Sequence, residues 1–342
     1  MHVLVFCMNK KFSIVISGPT ATGKTDFATN LANDLPIEIV NADIGSFYTS
    51  LTVGTAKPAW KDSPIPHHFF DVIDDTTSWT APQFREKLEL LLQQIWSRGN
   101  IPVIVGGSAF YIQAFFYKNH ELLHPTTELM QSLESQSAQD LWEQLNEVDP
   151  ARSAKIDPHD HYRLVRALAI WHTQGQKPSD FVPIFQPLSS FYFLTLTRDR
   201  DQLYDMINQR VQIMMQAGWL QEVQELARDA QWKDFLLKKK MIGYDILLEY
   251  LQTPDIHKNL DESLATIAQL TRNYAKRQIT FLHRLQKNVQ ESLQTNAKHR
   301  ALPYEIKECN LTLCDLSLYI KQLSDFALGA QTRAIEKKIH NL

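Results

Sequence analysis

The chain contains 342 residues, of which 44% are apolar and 21% charged, and its formal net charge at pH 7 is −3. This composition is typical of a globular protein with roughly two domains and a sizeable core, and it excludes disordered and fibrous proteins. No apolar run approaches the roughly 18–20 residues that a membrane-spanning helix needs, and the negative charge gives no overall attraction to nucleic acid. An RNA partner would therefore have to bind local basic patches.

The cysteine content indicates a compartment. Cys7, Cys309 and Cys314 are too few and too unevenly spaced for a disulfide framework or a structural zinc site. This usage favours a reducing environment. We therefore expect a cytoplasmic protein without a membrane partner.

The first motif follows the apolar run Phe12–Ser17 and matches the pattern G-x-x-x-x-G-K-[ST]. Its residues are Gly18, Pro19, Thr20, Ala21, Thr22, Gly23, Lys24 and Thr25. In such a strand–loop–helix unit the backbone N–H groups bind phosphate oxygens, Lys24 supplies a positive charge and the Thr25 hydroxyl can hold Mg²⁺. The motif predicts a phosphorylated ligand but not which one, because kinases, NTPases and a few transferases share it.

A second polar group follows the β-branched run Ile37–Val40, where Asp43 comes directly after the predicted strand. In open parallel sheets ligands bind outside the carboxyl ends of the strands. Asp43 is therefore placed beside the phosphate loop, as a base or a metal ligand. Capping of a turn or helix is an equally good explanation from position alone.

The same arrangement recurs after a helix predicted at Thr80–Arg98. A buried-type strand, Ile101–Val105, ends at two glycines and Ser108, and an aromatic-rich helix follows. The Ser108 hydroxyl thus reaches the same crevice and can bind phosphate or a polar substrate edge, although an ordinary helix N-cap is as common.

Residues 121–188 have a helical pattern, with helices predicted at Thr127–Leu145 and Asp160–Thr173. The second helix places Arg163 and Arg166 on one face, where such a pair can clamp a phosphate. Solvated surface arginines are the alternative. We interpret 121–188 as an all-helical insertion domain.

A strand at Phe191–Thr197 returns the chain to the sheet, and the following helix, Asp201–Ala217, carries Arg210 towards the crevice. The helix Asp261–Leu285 has a basic side that suits a polyanion. Its members include Arg272, Lys276 and Arg277. The pattern predicts an α/β fold, with a P-loop NTPase-like parallel sheet flanked by helices and built from residues 12–120 and 189–286. Residues 287–342 receive no function.

Taken together, these residues resemble the tRNA dimethylallyltransferase family, also called isopentenyl-diphosphate:tRNA transferases. The resemblance spans about Phe12 to Leu285. Besides the phosphate loop, its markers are Asn41-Ala42-Asp43, Gly54-Thr55-Ala56-Lys57-Pro58, Pro66-His67-His68, Val105-Gly106-Gly107, Asp149-Pro150, Arg163-Leu164-Val165-Arg166-Ala167-Leu168, Ile242-Gly243-Tyr244 and Thr271 to Thr280. The loop alone is widespread, whereas this ordered set is specific.

The resemblance implies transfer of a dimethylallyl group from its diphosphate to N6 of adenosine 37 in the anticodon arm of tRNA, giving N6-isopentenyladenosine. It implies that Lys24, Arg210 and Mg²⁺ stabilise the diphosphate, that Ser108 contributes a hydroxyl and that Asp43 accepts the proton. The implied tRNA-binding residues are Asp43, Ile44, Gly45, Ser46, Ser108, Tyr162, Arg163, Arg166, Lys240, Gly243, Tyr244, Arg272, Lys276 and Arg277. We expect a monomer.

The chain also departs from the family pattern. The family usually has Ser, a variable residue and Gln after the aspartate, whereas this chain has Ile44, Gly45 and Ser46. Ser46 is too short for the two-point contact that a glutamine makes with a base. Ser108 replaces the usual threonine and keeps the hydroxyl. Two alternatives stay open: a P-loop small-molecule kinase, and a non-catalytic RNA-binding relative.

Overall fold

The computed structural model describes residues 11–120, 122–252, 259–295 and 303–339, so that Cys7 lies outside the described residues. In chain order its elements are β1 (Phe12–Ser17), α1 (Lys24–Asn30), β2 (Ile37–Asn41), β3 (His67–His68), α2 (Ala81–Ser97), β4 (Ile101–Gly106), α3 (Ala109–Phe116), β5 (Tyr117–Lys118), α4 (Thr127–Glu134), α5 (Ala138–Val148), α6 (Pro150–Ser153), α7 (His161–Gln174), β6 (Ile184–Phe185), β7 (Ser190–Thr197), α8 (Arg200–Gln216), α9 (Trp219–Leu226), α10 (Ala230–Lys239), α11 (Tyr244–Gln252), α12 (Leu260–Thr295), β8 (Tyr304–Asn310) and α13 (Leu316–Ile339).

The main sheet contains six strands in the order β3-β2-β4-β1-β7-β8, and all of its strand pairs are parallel. β1 and β4 are buried along their whole length, as their continuous apolar sequences require. Their register pairs Ser17 with Gly106, so both strands end at the same edge. The predicted α/β fold with a parallel sheet is confirmed. Within the described part of the chain, no helix is long and apolar enough to cross a membrane.

The part of the chain after Gln286 contributes to the core, which the sequence did not indicate. α12 continues to Thr295, beyond its predicted end at Leu285, and β8 pairs along its length with β7. Leu323 and Ala327 of α13 are fully buried against the core cluster that includes β1 residues. β8 was missed because its sequence, Tyr-Glu-Ile-Lys-Glu-Cys-Asn, is mostly polar, as suits an edge strand exposed along much of its length.

The chain divides into two compact units. The smaller unit is Tyr117–Gln186, and the larger unit is formed by the described residues before and after it. This unit has its own apolar core, built from α4, α5 and α7 around residues such as Leu141, Leu145 and Leu164. The helix predicted at Thr127–Leu145 is in fact two helices, because Ser137 caps the amino end of α5. The short antiparallel pair β5–β6 also belongs to this unit and was not predicted.

In the larger unit, the buried carboxylate of Glu38 connects β2 to the end of α2. Glu38 accepts hydrogen bonds from Arg98 Nε at 2.8 Å and Nη2 at 2.7 Å, from Asn100 Nδ2 at 2.8 Å and from His68 Nε2 at 2.6 Å. Burial alone would raise the pKa of Glu38, but the hydrogen bonds from Arg98, Asn100 and His68 outweigh it and lower the pKa to about 2. The ionised form of Glu38 therefore stabilises the fold.

Replacing Glu38 with glutamine is expected to lower the free energy of unfolding at pH 7 by about 2 kcal/mol, because solvent screening at the half-exposed Arg98 reduces the roughly 3 kcal/mol that the full shift represents. A depressed pKa stabilises the fold above its ordinary value of 4.5, and this contribution is lost as the pH falls towards about 2. Thermal melts across that range should show a weaker pH dependence in Glu38→Gln than in the wild type. Glu86→Gln, at an exposed position of α2, is the control. Equal pH dependence in both variants would contradict this assignment.

Candidate active site

The phosphate-loop motif, Gly18–Thr25, connects β1 to α1. The Thr22 hydroxyl and the Lys24 ammonium both donate to the Pro19 carbonyl oxygen, at 2.8 and 2.9 Å. Gly18 lies so close to β7 that a Cβ would be 2.4 Å from a backbone carbonyl oxygen of that strand. The motif thus forms a tight loop against the amino end of α1, and such a helix end favours the binding of anions.

Lys24 of this loop interacts electrostatically with Arg210 and Asp43. Burial lowers the pKa of Lys24, the negative charge of Asp43 opposes that effect, and Arg210 adds to the lowering. Burial also lowers the pKa of Arg210, and Asp43 again favours its charged form. Because both cations are partly desolvated, an anionic ligand placed between them would interact more strongly than it would in bulk water.

Asp43 is held by the turn that follows the neighbouring strand β4. Its Oδ1 accepts a hydrogen bond from the Gly107 backbone N–H at 2.6 Å and one from the Ser108 hydroxyl at 3.4 Å. The Ser108 oxygen in turn accepts from the Ile44 N–H at 3.1 Å. The Asn41 side chain fixes the backbone of Asp43 through bonds of 2.9 and 3.1 Å. The carboxylate therefore has a defined position, with Ser108 as its side-chain partner.

These groups line one pocket of about 620 Å³ in the larger unit. Lys24, Thr25, Asp43, Ser108 and Arg210 form its polar side. Arg210 comes from α8, and its Nη2 also donates to the Thr55 carbonyl oxygen at 3.4 Å. The same helix contributes the apolar side chains Ile207, Val211 and Met214 to the lining. The pocket therefore combines anion-binding groups with an apolar wall.

The sequence analysis missed three lining residues on α12, namely Thr271, Tyr274 and Gln278. Burial, reinforced by the charge of Asp43, raises the pKa of Tyr274 to about 12, so that its hydroxyl stays protonated at neutral pH. The three positions follow one another at intervals of three and four residues and therefore share one face of the helix. That spacing was available in the sequence, but the basic residues of the same segment suggested the opposite face.

The residues after Asp43 that differ from the family pattern lie at the pocket. Ile44, Gly45 and Ser46 form a short 3₁₀ turn, and all three line the pocket. A Cβ on Gly45 would be 2.7 Å from the Thr55 methyl carbon, so this position has no room for a side chain unless Thr55 moves. Lys240 is exposed and also lines the pocket.

Gly243 and Tyr244, which the resemblance implies as RNA contacts, are buried where α11 packs against α9. Tyr244 is 1% exposed, and its hydroxyl donates to Glu222 Oε1 at 2.7 Å. A Cβ on Gly243 would be 2.2 Å from the Trp219 ring. Both residues pack α11 against α9, and Tyr244 also lines the pocket. Their role in RNA binding stays a prediction.

Glu222 connects this packing to the loop that bounds the pocket. Its Oε2 accepts from the backbone N–H groups of Thr52 at 2.9 Å and Val53 at 2.7 Å, and its Oε1 accepts from that of Gly54 at 3.1 Å. With the Tyr244 hydroxyl, the carboxylate has four donors. It holds the loop whose Thr55 carbonyl accepts the hydrogen bond from Arg210.

Glu222→Gln is expected to lower the free energy of unfolding by about 2 kcal/mol, because the amide NH₂ would face N–H donors and the charge-assisted bonds would be lost. Thermal or denaturant unfolding measures the change. Glu225→Gln, on the exposed side of the same helix, is the matched control and should unfold like the wild type. Equal stability of the two variants would refute the proposed role of Glu222 in holding the loop.

The basic residues of α12 lie beside the pocket-lining face. The Arg272 guanidinium and the Lys276 ammonium lie 5.8 and 6.0 Å from the centre of the Tyr204 ring, and Arg277 lies 5.9 Å from that of Tyr274. Arg200 approaches the Tyr204 ring from α8, at 5.2 Å. These positions give the larger unit a local positive surface, as the sequence predicts.

The predicted RNA contacts of the insertion belong to the smaller unit. Tyr162, Arg163 and Arg166 are exposed on α7, and Arg163 Nε lies 3.2 Å from Asp160 Oδ2. Exposure leaves all three available to a partner. Their role stays a prediction.

Thr25 is the residue that best fits a Mg²⁺ ion. Thr25 lines the pocket next to Lys24. Among the described residues, no group of three or more His, Cys, Asp and Glu could hold a metal. Mg²⁺ commonly binds through one or two protein oxygens together with substrate phosphates and water. The single hydroxyl of Thr25 fits such a partly hydrated, phosphate-bound Mg²⁺ ion. It does not fit a metal site built from protein ligands alone.

Comparison with known proteins places these residues in a family. The family model described as IPP transferase matches residues 46–285. A tRNA dimethylallyltransferase from Anoxybacillus flavithermus is 36% identical over 276 residues, which cover 78% of this chain and 86% of the relative. One from Limosilactobacillus reuteri is 34% identical over 283 residues, which cover 80% and 90%.

Solved structures give the same result. The full-length tRNA isopentenylpyrophosphate transferase from Bacillus halodurans superposes with a TM-score of 0.64 at 28% identity, covering 97% of this chain and all of the other. A eukaryotic dimethylallyltransferase acting on tRNA superposes with a TM-score of 0.69 at 26% identity, covering 85% of this chain and 77% of the other.

Proposed function

Because the chain belongs to the IPP transferase family, we propose that it transfers a dimethylallyl group from dimethylallyl diphosphate to N6 of adenosine 37 in tRNA. The chain is an enzyme that prenylates tRNA. We propose three details beyond this: the prenyl donor, the modified position and the product, N6-isopentenyladenosine. We also propose that it works in the cytoplasm as a monomer.

The observation that carries the proposal is the pocket in which Asp43, held by Gly107 N–H and Ser108, faces Lys24 and Arg210. In the reaction, a bond forms between N6 of the adenine and the first carbon of the dimethylallyl group, while the bond from that carbon to the diphosphate oxygen breaks. Asp43 accepts the proton that N6 loses. Lys24, Arg210 and the loop N–H groups stabilise the departing diphosphate.

The apolar wall would accommodate the prenyl chain beside the diphosphate. Ile207, Val211 and Met214 follow one face of α8, next to Arg210. An aliphatic chain in contact with them leaves water, at a gain of about 25 cal/mol per Å² of buried surface. The order of polar and apolar residues along α8 thus suits a molecule with an anionic head and a short aliphatic tail.

Magnesium fits this scheme at Thr25. When bound there together with the diphosphate, Mg²⁺ would neutralise part of the charge that the leaving group carries. Thr25 would supply the protein ligand, while Lys24 would bind and orient the phosphate oxygens.

The RNA must present its adenine to the pocket outside the base stack. We propose that Arg272, Lys276 and Arg277 bind phosphates of the anticodon arm from α12. Tyr162, Arg163 and Arg166 would bind the same RNA from the insertion. Asp43, Ser108 and the turn Ile44–Ser46 would contact the adenine.

The test combines nucleoside analysis with purified components. Mass spectrometry of bulk tRNA nucleosides, with and without the gene, should show isopentenyladenosine only when the gene is present. Purified protein should transfer label from dimethylallyl diphosphate to tRNA without consuming ATP. Phosphate transfer from ATP to a small acceptor, or tight tRNA binding without any label transfer, would refute the proposal.

A further inference from the structure

One buried amide on α12 connects two loops that both belong to the active site. Gln278 is 4% exposed. Its Oε1 accepts a hydrogen bond from the Thr20 backbone N–H at 2.9 Å, and its Nε2 donates one to the Gly107 carbonyl oxygen at 2.8 Å. Thr20 is part of the phosphate loop, and Gly107 is part of the turn after β4. A single side chain thus joins segments that follow different strands.

The Gly107 end of this connection continues to the carboxylate. The backbone N–H of Gly107 donates to Asp43 Oδ1 at 2.6 Å, while its carbonyl oxygen accepts from Gln278. A Cβ on Gly107 would be 2.5 Å from Gln278 Nε2 and 3.5 Å from Asp43 Oδ1. A side chain at this position would therefore displace the Gln278 amide, while Asp43 would remain in ordinary van der Waals contact.

The Thr20 end of the connection restrains the diphosphate loop. A loop that binds phosphate through backbone N–H groups needs those groups in a fixed arrangement. Gln278 is bonded at both ends of its amide group, so rotation of that group would break two buried hydrogen bonds. The stiff α12 holds the amide in place between the two loops.

We propose that Gln278 is a positioning residue that sets the phosphate loop and the Asp43 carboxylate in one mutual arrangement. It acts through Thr20 and Gly107, and its contacts with them need neither RNA nor prenyl donor. The inference rests on the proposed function only for its kinetic readout, because binding of inorganic pyrophosphate to the loop can be measured without RNA.

The first test compares Gln278→Met with Gln290→Met, which changes an exposed glutamine farther along α12. Titration calorimetry with inorganic pyrophosphate and Mg²⁺ should give about tenfold weaker binding to Gln278→Met, since two buried polar groups lose their partner. In the prenylation assay kcat should fall about tenfold or more, with the KM for tRNA within about twofold of the wild type. Gln290→Met should match the wild type in both assays.

A second variant keeps the test independent of the stability of the first. Gly107→Ala should displace the amide from its other side and should also weaken pyrophosphate binding. Because both changes break the same connection, the pyrophosphate affinity of the double variant should be no lower than that of whichever single variant binds pyrophosphate less tightly. Additive losses, or pyrophosphate affinity and kcat within about twofold of the wild type in a folded Gln278→Met protein, would overturn the proposal. If the wild type binds pyrophosphate but does not prenylate tRNA, the proposed function fails while this binding test still applies.

Discussion

Replacing Asp43 with asparagine is expected to lower kcat for prenyl transfer about 10³-fold, within the range usual for loss of a positioned general base. Asparagine has nearly the same shape and keeps an oxygen that can accept the hydrogen bond from the Gly107 N–H, which lies 2.6 Å from Asp43 Oδ1. It cannot take the proton from N6. Binding of tRNA and of inorganic pyrophosphate should therefore remain within about twofold of the wild type.

Single-turnover transfer from labelled dimethylallyl diphosphate, with enzyme in excess over tRNA, isolates the chemical step. Asp74→Asn, at an exposed position, is the matched control and should react at the wild-type rate. A rate for Asp43→Asn close to that of the control would remove the proposed role of the carboxylate.

The second large effect is expected for Lys24→Met, which should lower kcat/KM for dimethylallyl diphosphate about 10²- to 10³-fold. Methionine keeps much of the side-chain volume but removes the charge that stabilises the leaving diphosphate. Because burial lowers the pKa of Lys24, its charge is partly desolvated before the ligand binds. Arg210 still offsets the charge of Asp43 in the variant, so the melting temperature should stay close to that of the wild type while activity is lost.

Direct titration with inorganic pyrophosphate and a thermal melt of the same sample check both parts of this prediction. Lys321→Met changes an exposed lysine of α13 and should leave pyrophosphate affinity, activity and melting temperature unchanged. Unchanged pyrophosphate affinity in Lys24→Met would show that the ligand does not use this loop.

The main features of the site could be predicted because they depend on local sequence and on one rule of sheet geometry. The phosphate-loop motif defines its own backbone path, and the carboxyl ends of neighbouring parallel strands meet at one edge. Asp43 after β2 and Ser108 after β4 therefore had to lie near Lys24, where the structure has them. The α/β fold followed from the buried runs of β1 and β4.

Long-range partners could not be predicted in this way. The contact between Gln278 and Thr20 joins positions 258 residues apart, and nothing in either local pattern indicates it. The hydrogen bond from the Tyr244 hydroxyl to Glu222 could not be predicted for a related reason, since a motif position does not indicate the distant partner of its side chain. The helical break before Ser137 was missed because both α4 and α5 have the same apolar period.

The parallel pairing of β7 with β8 has a consequence for synthesis of the protein. The two strands pair over seven residues, Phe191–Thr197 with Tyr304–Asn310, but α8 to α12 lie between them in the chain. While the nascent polypeptide leaves the ribosome, β7 therefore has an open hydrogen-bonding edge until β8 emerges. We expect translation products that stop after α12 to aggregate through this edge, and a chaperone that shields it during translation would raise the yield of native protein.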